Sequence, residues 1–97
     1  MQSAKPTLSE QQLHDLIREL PEWALDDGKL VRFWTHANFV DAITFVRRVA
    51  ELAEQHNHHP DIDIRYNRVK LALASHDAGG ITERDAKLAR ELSRLQD

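Results

Sequence analysis

Three of the six histidines lie in the stretch Glu54-Gln55-His56-Asn57-His58-His59-Pro60-Asp61, and a fourth, His76, lies in the next segment. Imidazole exchanges protons near neutral pH, with an unperturbed pKa of about 6.5. Three chemistries fit such a set. Cationic imidazoles suit a helix C-terminus, where the carbonyls carry partial negative charge; His56 is read this way. His56-x-His58 would place two imidazoles on one face of an extended segment, with Asp61 or Asp63 completing a metal site, but the spacing matches no recognised ligand motif. The third is acid–base catalysis without a metal. Adjacent His58 and His59 project in different directions, so one addresses a reacting atom while the other binds or orients. His76 would then face the pair from another element. Dehydration has that requirement: an acid to protonate a departing hydroxyl and a base to take the proton whose loss forms the double bond.

The rest of the chain must position these residues. Its 97 residues suit one domain spanning 1–97, small enough that self-association would help its stability. A net charge of −3 gives no broad basic surface for nucleic acid or anionic lipid. There is no cysteine, which removes thiol chemistry and disulfides. No uninterrupted apolar run approaches the ~20 residues that span a bilayer. Residues 1–7 read as a disordered lead without an apolar core, and the chain is expected to be cytoplasmic, with no membrane or direct nucleic-acid partner.

In order, Ser9 and Gln12 form a capping-box pattern before the stripe Leu13, Leu16, Ile17, Leu20, a helix that Pro21 ends. Trp23-Ala24-Leu25 and Leu30 to Trp34 flank Asp26-Asp27-Gly28-Lys29, the pattern of a tight hairpin. Both tryptophans are read as packing residues. From Asn38 to Gln55 the spacing predicts a long helix with Phe39, Ile43, Val46, Ala50 and Ala53 as its buried stripe, widened by Ala42, Phe45, Val49 and Leu52. Ile62 and Ile64, then Val69, Leu71, Leu73 and Ser75, alternate as two strands about a turn at Tyr66-Asn67-Arg68. Asp77-Ala78-Gly79-Gly80 is a loop. Thr82 and Asp85 cap a last helix striped by Leu88, Ala89, Leu92 and Leu95. The expected fold is α+β, in the order α-β-β-α-β-β-α: a four-stranded antiparallel sheet with three helices on one face.

Several of these residues together resemble pterin-4a-carbinolamine dehydratases. The pattern is Glu54, then His58-His59-Pro60, Tyr66, His76 and Asp85, supported by Leu20-Pro21-x-Trp23, Phe45-Val46-x-Arg48-Val49 and Thr82-Glu83-Arg84-Asp85. The resemblance implies dehydration of 4a-hydroxytetrahydrobiopterin to the quinonoid dihydropterin, a step that recycles the cofactor of aromatic amino-acid hydroxylases. Pterin is then the substrate, and neither a further cofactor nor a metal is expected. Carried over by position, His58, His59 and His76 are catalytic. Substrate contacts fall on His58-His59-Pro60 and Ser75-His76-Asp77-Ala78. Glu54 is placed to bond a histidine, and Asp85 is read chiefly as a helix-start residue. The resemblance also implies a homodimer or homotetramer. A non-catalytic interaction module, acting as a dimerisation or transcription cofactor on the same fold, is the alternative. Ile62 stands where animal members carry tryptophan, and Gln55 where a basic residue is common.

Overall fold

The computed structural model describes residues 6–95, so residues 1–5 of the expected lead lie outside the described residues. The order is α1 (Glu10–Glu19), β1 (Ala24–Asp26), β2 (Lys29–Thr35), α2 (Phe39–His56), β3 (Asp61–Arg65), β4 (Arg68–Leu73) and α3 (Glu83–Leu92). This is the expected α+β sequence of elements. The four strands form one antiparallel sheet in the order β1-β2-β4-β3, so the two hairpins meet along β2 and β4.

Local chemistry accounts for the elements. At α1, Ser9 Oγ accepts from the Gln12 amide at 3.1 Å, and Gln12 Oε1 accepts from the Ser9 amide at 2.8 Å. The β1–β2 turn has Asp27 at φ 52° and Gly28 at φ 77°. A two-residue hairpin that follows the strands' right-handed twist needs positive φ at both centres, which Asp-Gly tolerates. Asn38 opens α2 by accepting the Asp41 amide at 2.8 Å.

The core lies between the helices and one sheet face. Val69, Leu71 and Leu73 of β4 point into it and are fully buried, with Leu30 and Trp34 of β2 beside them. Each such side chain contributes about 1.5–3 kcal/mol of transfer free energy. Trp23 and Trp34 meet edge to face with centroids 5.8 Å apart, which fits their reading as packing residues. The Trp23 indole donates to Ser93 Oγ at 2.8 Å, tying the entry to β1 to the end of α3. On the other sheet face, Phe33 remains half exposed.

The buried face of α2 falls within the broad one expected and is centred on its Ala42, Phe45 and Val49 edge. Ala42, Phe45, Val49 and Ala53 are buried, whereas Phe39 and Ala50 are exposed and Ile43 and Val46 are half-buried. Both stripes obey the helical period, so periodicity cannot choose between them. Tertiary contacts do: Phe45 packs against Trp34 and His36, with centroids 4.9 and 4.8 Å away. His36 is itself buried; its backbone amide donates to the Asn67 carbonyl at 2.8 Å, and Asn67 Nδ2 returns a bond to the His36 carbonyl.

Candidate active site

The end of α2 decides where the histidines go. Asn57 takes the left-handed conformation, φ 49° and ψ 41°, and the His58 amide reaches back to the Ala53 carbonyl at 3.1 Å. This is a C-terminal capping turn, and asparagine accepts the left-handed position better than most residues. The chain reverses there, which separates the three neighbouring histidines. His56 stays in the last helical turn, exposed. His58 turns inward, and its side chain retains 11% of its exposure. His59 turns outward and retains 59%.

His58 Nε2 lies 2.5 Å from Oδ1 of Asp85, a fully buried side chain. The other Asp85 oxygen, Oδ2, accepts from Ser75 Oγ at 2.9 Å and from the Thr82 amide at 2.8 Å. Ser75 Oγ is also 2.8 Å from Thr82 Oγ1, which in turn accepts the Arg84 amide. Asp85 is therefore the capping-box residue of α3 and the anchor of His58 at once. The sequence pattern shows the first role; the second joins residues 27 positions apart and appears only in the folded chain. The cap orients the carboxylate, and the carboxylate orients the imidazole.

With Asp85 ionised, the network has one consistent placement of hydrogens at His58. A carboxylate only accepts, so His58 Nε2 must carry a proton to bond Asp85. Nδ1 is left as the nitrogen that can exchange a proton with a substrate. Glu54 does bond a histidine, but it is His59: Oε2 lies 2.6 Å from its Nε2, with both side chains largely exposed. Such a pair restricts the ring while adding little stability.

Register brings His76 to the same end of the sheet. Asp61 pairs with Ala72, so the His58-His59-Pro60 segment runs on beside Ala74-Ser75-His76. Ser75 is buried, its amide bonded to the Gly80 carbonyl and its carbonyl accepting from Ala78 and Gly79. Its hydroxyl supports Asp85 from beneath, and the residue also lines the hollow beside His76. His76 and Asp77 are exposed on the turn that follows, and Ala78 is half-buried. His76 lines a hollow of about 230 Å³ with Ser75 and Gly79; His58 is not among its lining residues. The two histidines are joined through Asp85 and Ser75. Arg84 lies 2.5 Å from Asp77, and that hydrogen bond holds the Asp77 carboxyl below its ordinary range, outweighing a slight opposing effect of burial. Among the described residues, no group of three histidine or acidic side chains is placed to hold a metal ion. No helix among them is long and apolar enough to cross a membrane.

Fold and site together define a small α+β protein with an anchored histidine at one end of an antiparallel sheet. The profile described as pterin 4 alpha carbinolamine dehydratase matches residues 6–95. A Chloroflexus aurantiacus protein provisionally named pterin-4-alpha-carbinolamine dehydratase is 51% identical over 90 residues, covering 93% of this chain and 97% of its own. A Thermomicrobium roseum protein with the same provisional name is 53% identical over 88 residues, covering 91% and 95%. The crystal structure of a transcriptional coactivator/pterin dehydratase from Brucella melitensis superposes with a TM-score of 0.85 at 34% identity, covering 90% of this chain and 95% of that one. The chain belongs to the pterin-4a-carbinolamine dehydratase family, a family of hydro-lyases.

Proposed function

We propose that this protein dehydrates a 4a-hydroxytetrahydropterin to the quinonoid dihydropterin and water, using histidines and no metal. The observation that carries this reading is the Asp85-held His58 at the sheet end that also presents His76. The C4a–oxygen bond breaks as the hydroxyl takes a proton and leaves as water. The N5 proton is lost, and its bonding pair forms the C4a–N5 double bond. His58, through Nδ1, and His76 divide these two transfers, one as acid and the other as base. His59, steadied by Glu54, orients the ring. Pro60, Asp77 and Ala78 border the substrate, while Ser75 and Asp85 position His58 from behind. The reaction balances without a redox cofactor, since pterin is itself the substrate.

Assembly into two or four copies belongs to the same reading. It is supported by Phe39 and Val40, which leave 49% and 70% of their surface exposed at the start of α2. A role as an interaction module is the second reading, favoured by the coactivator half of the Brucella relative's description.

Replacement tests the reading. His58→Ala and His76→Ala should each slow dehydration at least about ten-fold, toward the range typical of one acid–base group. A wild-type rate in either folded variant would remove that histidine from the chemistry.

A further inference from the structure

The β1–β2 turn stands beside His76. Asp27 and Lys29 form one wall of the 230 Å³ hollow whose other wall is Ser75, His76 and Gly79. The same two residues border a second hollow of similar size, on the open sheet face toward Asp61 and Asp63. Register explains how the turn reaches so far. Val31 and Asp61 both pair with Ala72, from opposite sides of β4. Lys29, on the same face as Val31, crosses two strand spacings, roughly 10 Å, and its ammonium lies 3.3 Å from Asp61 Oδ2. The small Ala72 and Ala74 beneath leave room for the crossing. Lys29 thereby links the turn to the strand that follows His58-His59-Pro60.

Charge around these hollows is lopsided. Asp26, Asp27, Asp61 and Asp63 face Lys29 and Lys70. A neutral hydroxyl placed there finds both a carboxylate acceptor and an ammonium donor. A phosphate or carboxylate finds one nearby ammonium already paired, and an excess of negative charge.

We propose that Asp27 and Lys29 are specificity-determining residues of this site, reading the side chain at carbon 6 of the pterin and selecting a neutral hydroxylated chain over an anionic one. The proposal rests on the dehydratase reading, because it places the reacting half of the ring at the histidines and the substituent at the turn. Lys29 donates to a side-chain hydroxyl and Asp27 accepts from one. Neither residue acts on C4a or N5, so their loss should appear in KM and spare kcat.

The test compares wild type, Lys29→Met and Asp27→Asn on three 4a-hydroxytetrahydropterins bearing a methyl, a dihydroxypropyl or a phosphorylated side chain. Asparagine tolerates the left-handed backbone at position 27. Fluorescence titration with the corresponding stable 7,8-dihydropterins gives affinities independently of turnover. Wild type should favour the diol over the methyl compound by about three- to ten-fold in KM, the worth of one hydrogen bond of ordinary strength in a part-exposed site. Lys29→Met should abolish that preference at unchanged kcat, and Asp27→Asn should selectively improve the phosphorylated compound. Equal shifts for all three compounds, or none, would overturn the assignment. If wild type binds the dihydropterins with this preference yet accelerates no carbinolamine, the dehydratase reading fails and the specificity assignment stands. If it binds none of them, both fail.

Discussion

Asp85→Asn separates orientation of His58 from structure. The carboxylate accepts three bonds, from Ser75 Oγ, the Thr82 amide and His58 Nε2. Asparagine keeps the shape but must direct its oxygen one way and its NH2 the other. The Thr82 amide cannot turn, and an NH2 placed 2.8 Å from it would set donor against donor. That arrangement costs about 1–3 kcal/mol for the unsatisfied group, so the oxygen stays with Thr82 and Ser75. The NH2 then faces His58 Nε2, which must accept, and the ring proton moves to Nδ1. The nitrogen available for proton exchange is thereby inverted. A buried Asp-to-Asn change that forces the wrong histidine tautomer costs about 10⁴ in kcat in a serine protease, and loss of one acid–base group costs about 10²–10⁴. We expect a fall of about 10²–10³ in dehydration rate, with stability lowered by only about 1–3 kcal/mol. Stopped-flow absorbance reads the first, urea unfolding the second, and ¹⁵N shifts of the His58 ring its tautomer. Asp85→Ala would not make the separation, because it also removes the α3 cap and leaves buried donors unpaired, at about 3–5 kcal/mol. A folded Asp85→Asn protein with wild-type rate, or with the Nε2–H tautomer intact, would refute the reasoning.

Other expectations follow from single contacts. His56→Ala should leave the rate within about two-fold of wild type, since His56 only ends a helix; a larger loss, measured in the same assay, would return it to the site. Glu54→Ala should raise KM more than it lowers kcat, by roughly three- to ten-fold, because it frees the His59 ring without touching His58; steady-state kinetics distinguishes the two. Arg90 forks onto Glu19 with contacts of 2.8 and 3.1 Å, and its hydrogen bond holds the Glu19 carboxyl below its ordinary range. A depressed carboxyl stabilises the fold above its unfolded value near 4.5 and loses that contribution as pH falls through the folded value. Arg90→Ala should therefore unfold more easily at pH 7, by at most about 1 kcal/mol for so exposed a pair. Its deficit should shrink below pH 4.5, and urea titrations at both pH values check this.

The sequence yields the elements because each carries local punctuation. Ser9 with Gln12, Asp27-Gly28, and Thr82 with Asp85 all act within four residues, and each caps or turns as its type requires. The buried face of α2 is decided by Trp34 and His36 meeting Phe45, contacts that no window along the helix contains. The site divides in the same way. The residue types and their pattern select His58, His59 and His76, but the bond from His58 to Asp85 spans 27 positions. Alternation along β4 puts Ser75 on the core side, like Leu73, and its hydroxyl there bonds Asp85. Asn57, directly after the last helical histidine, is also local punctuation: asparagine there marks a left-handed stop. The reversal it makes explains why two adjacent histidines have different partners.

The central claim is that these histidines, unaided by a metal, remove water from a pterin carbinolamine. Its most direct test is stopped-flow absorbance on freshly generated 4a-hydroxytetrahydropterin, with wild-type protein before and after exhaustive chelation. The account predicts decay to the quinonoid product well above the buffer rate, unchanged by the chelator. Decay at the buffer rate would contradict the activity, and a rate lost on chelation and restored by zinc would contradict the chemistry assigned to His58 and His76.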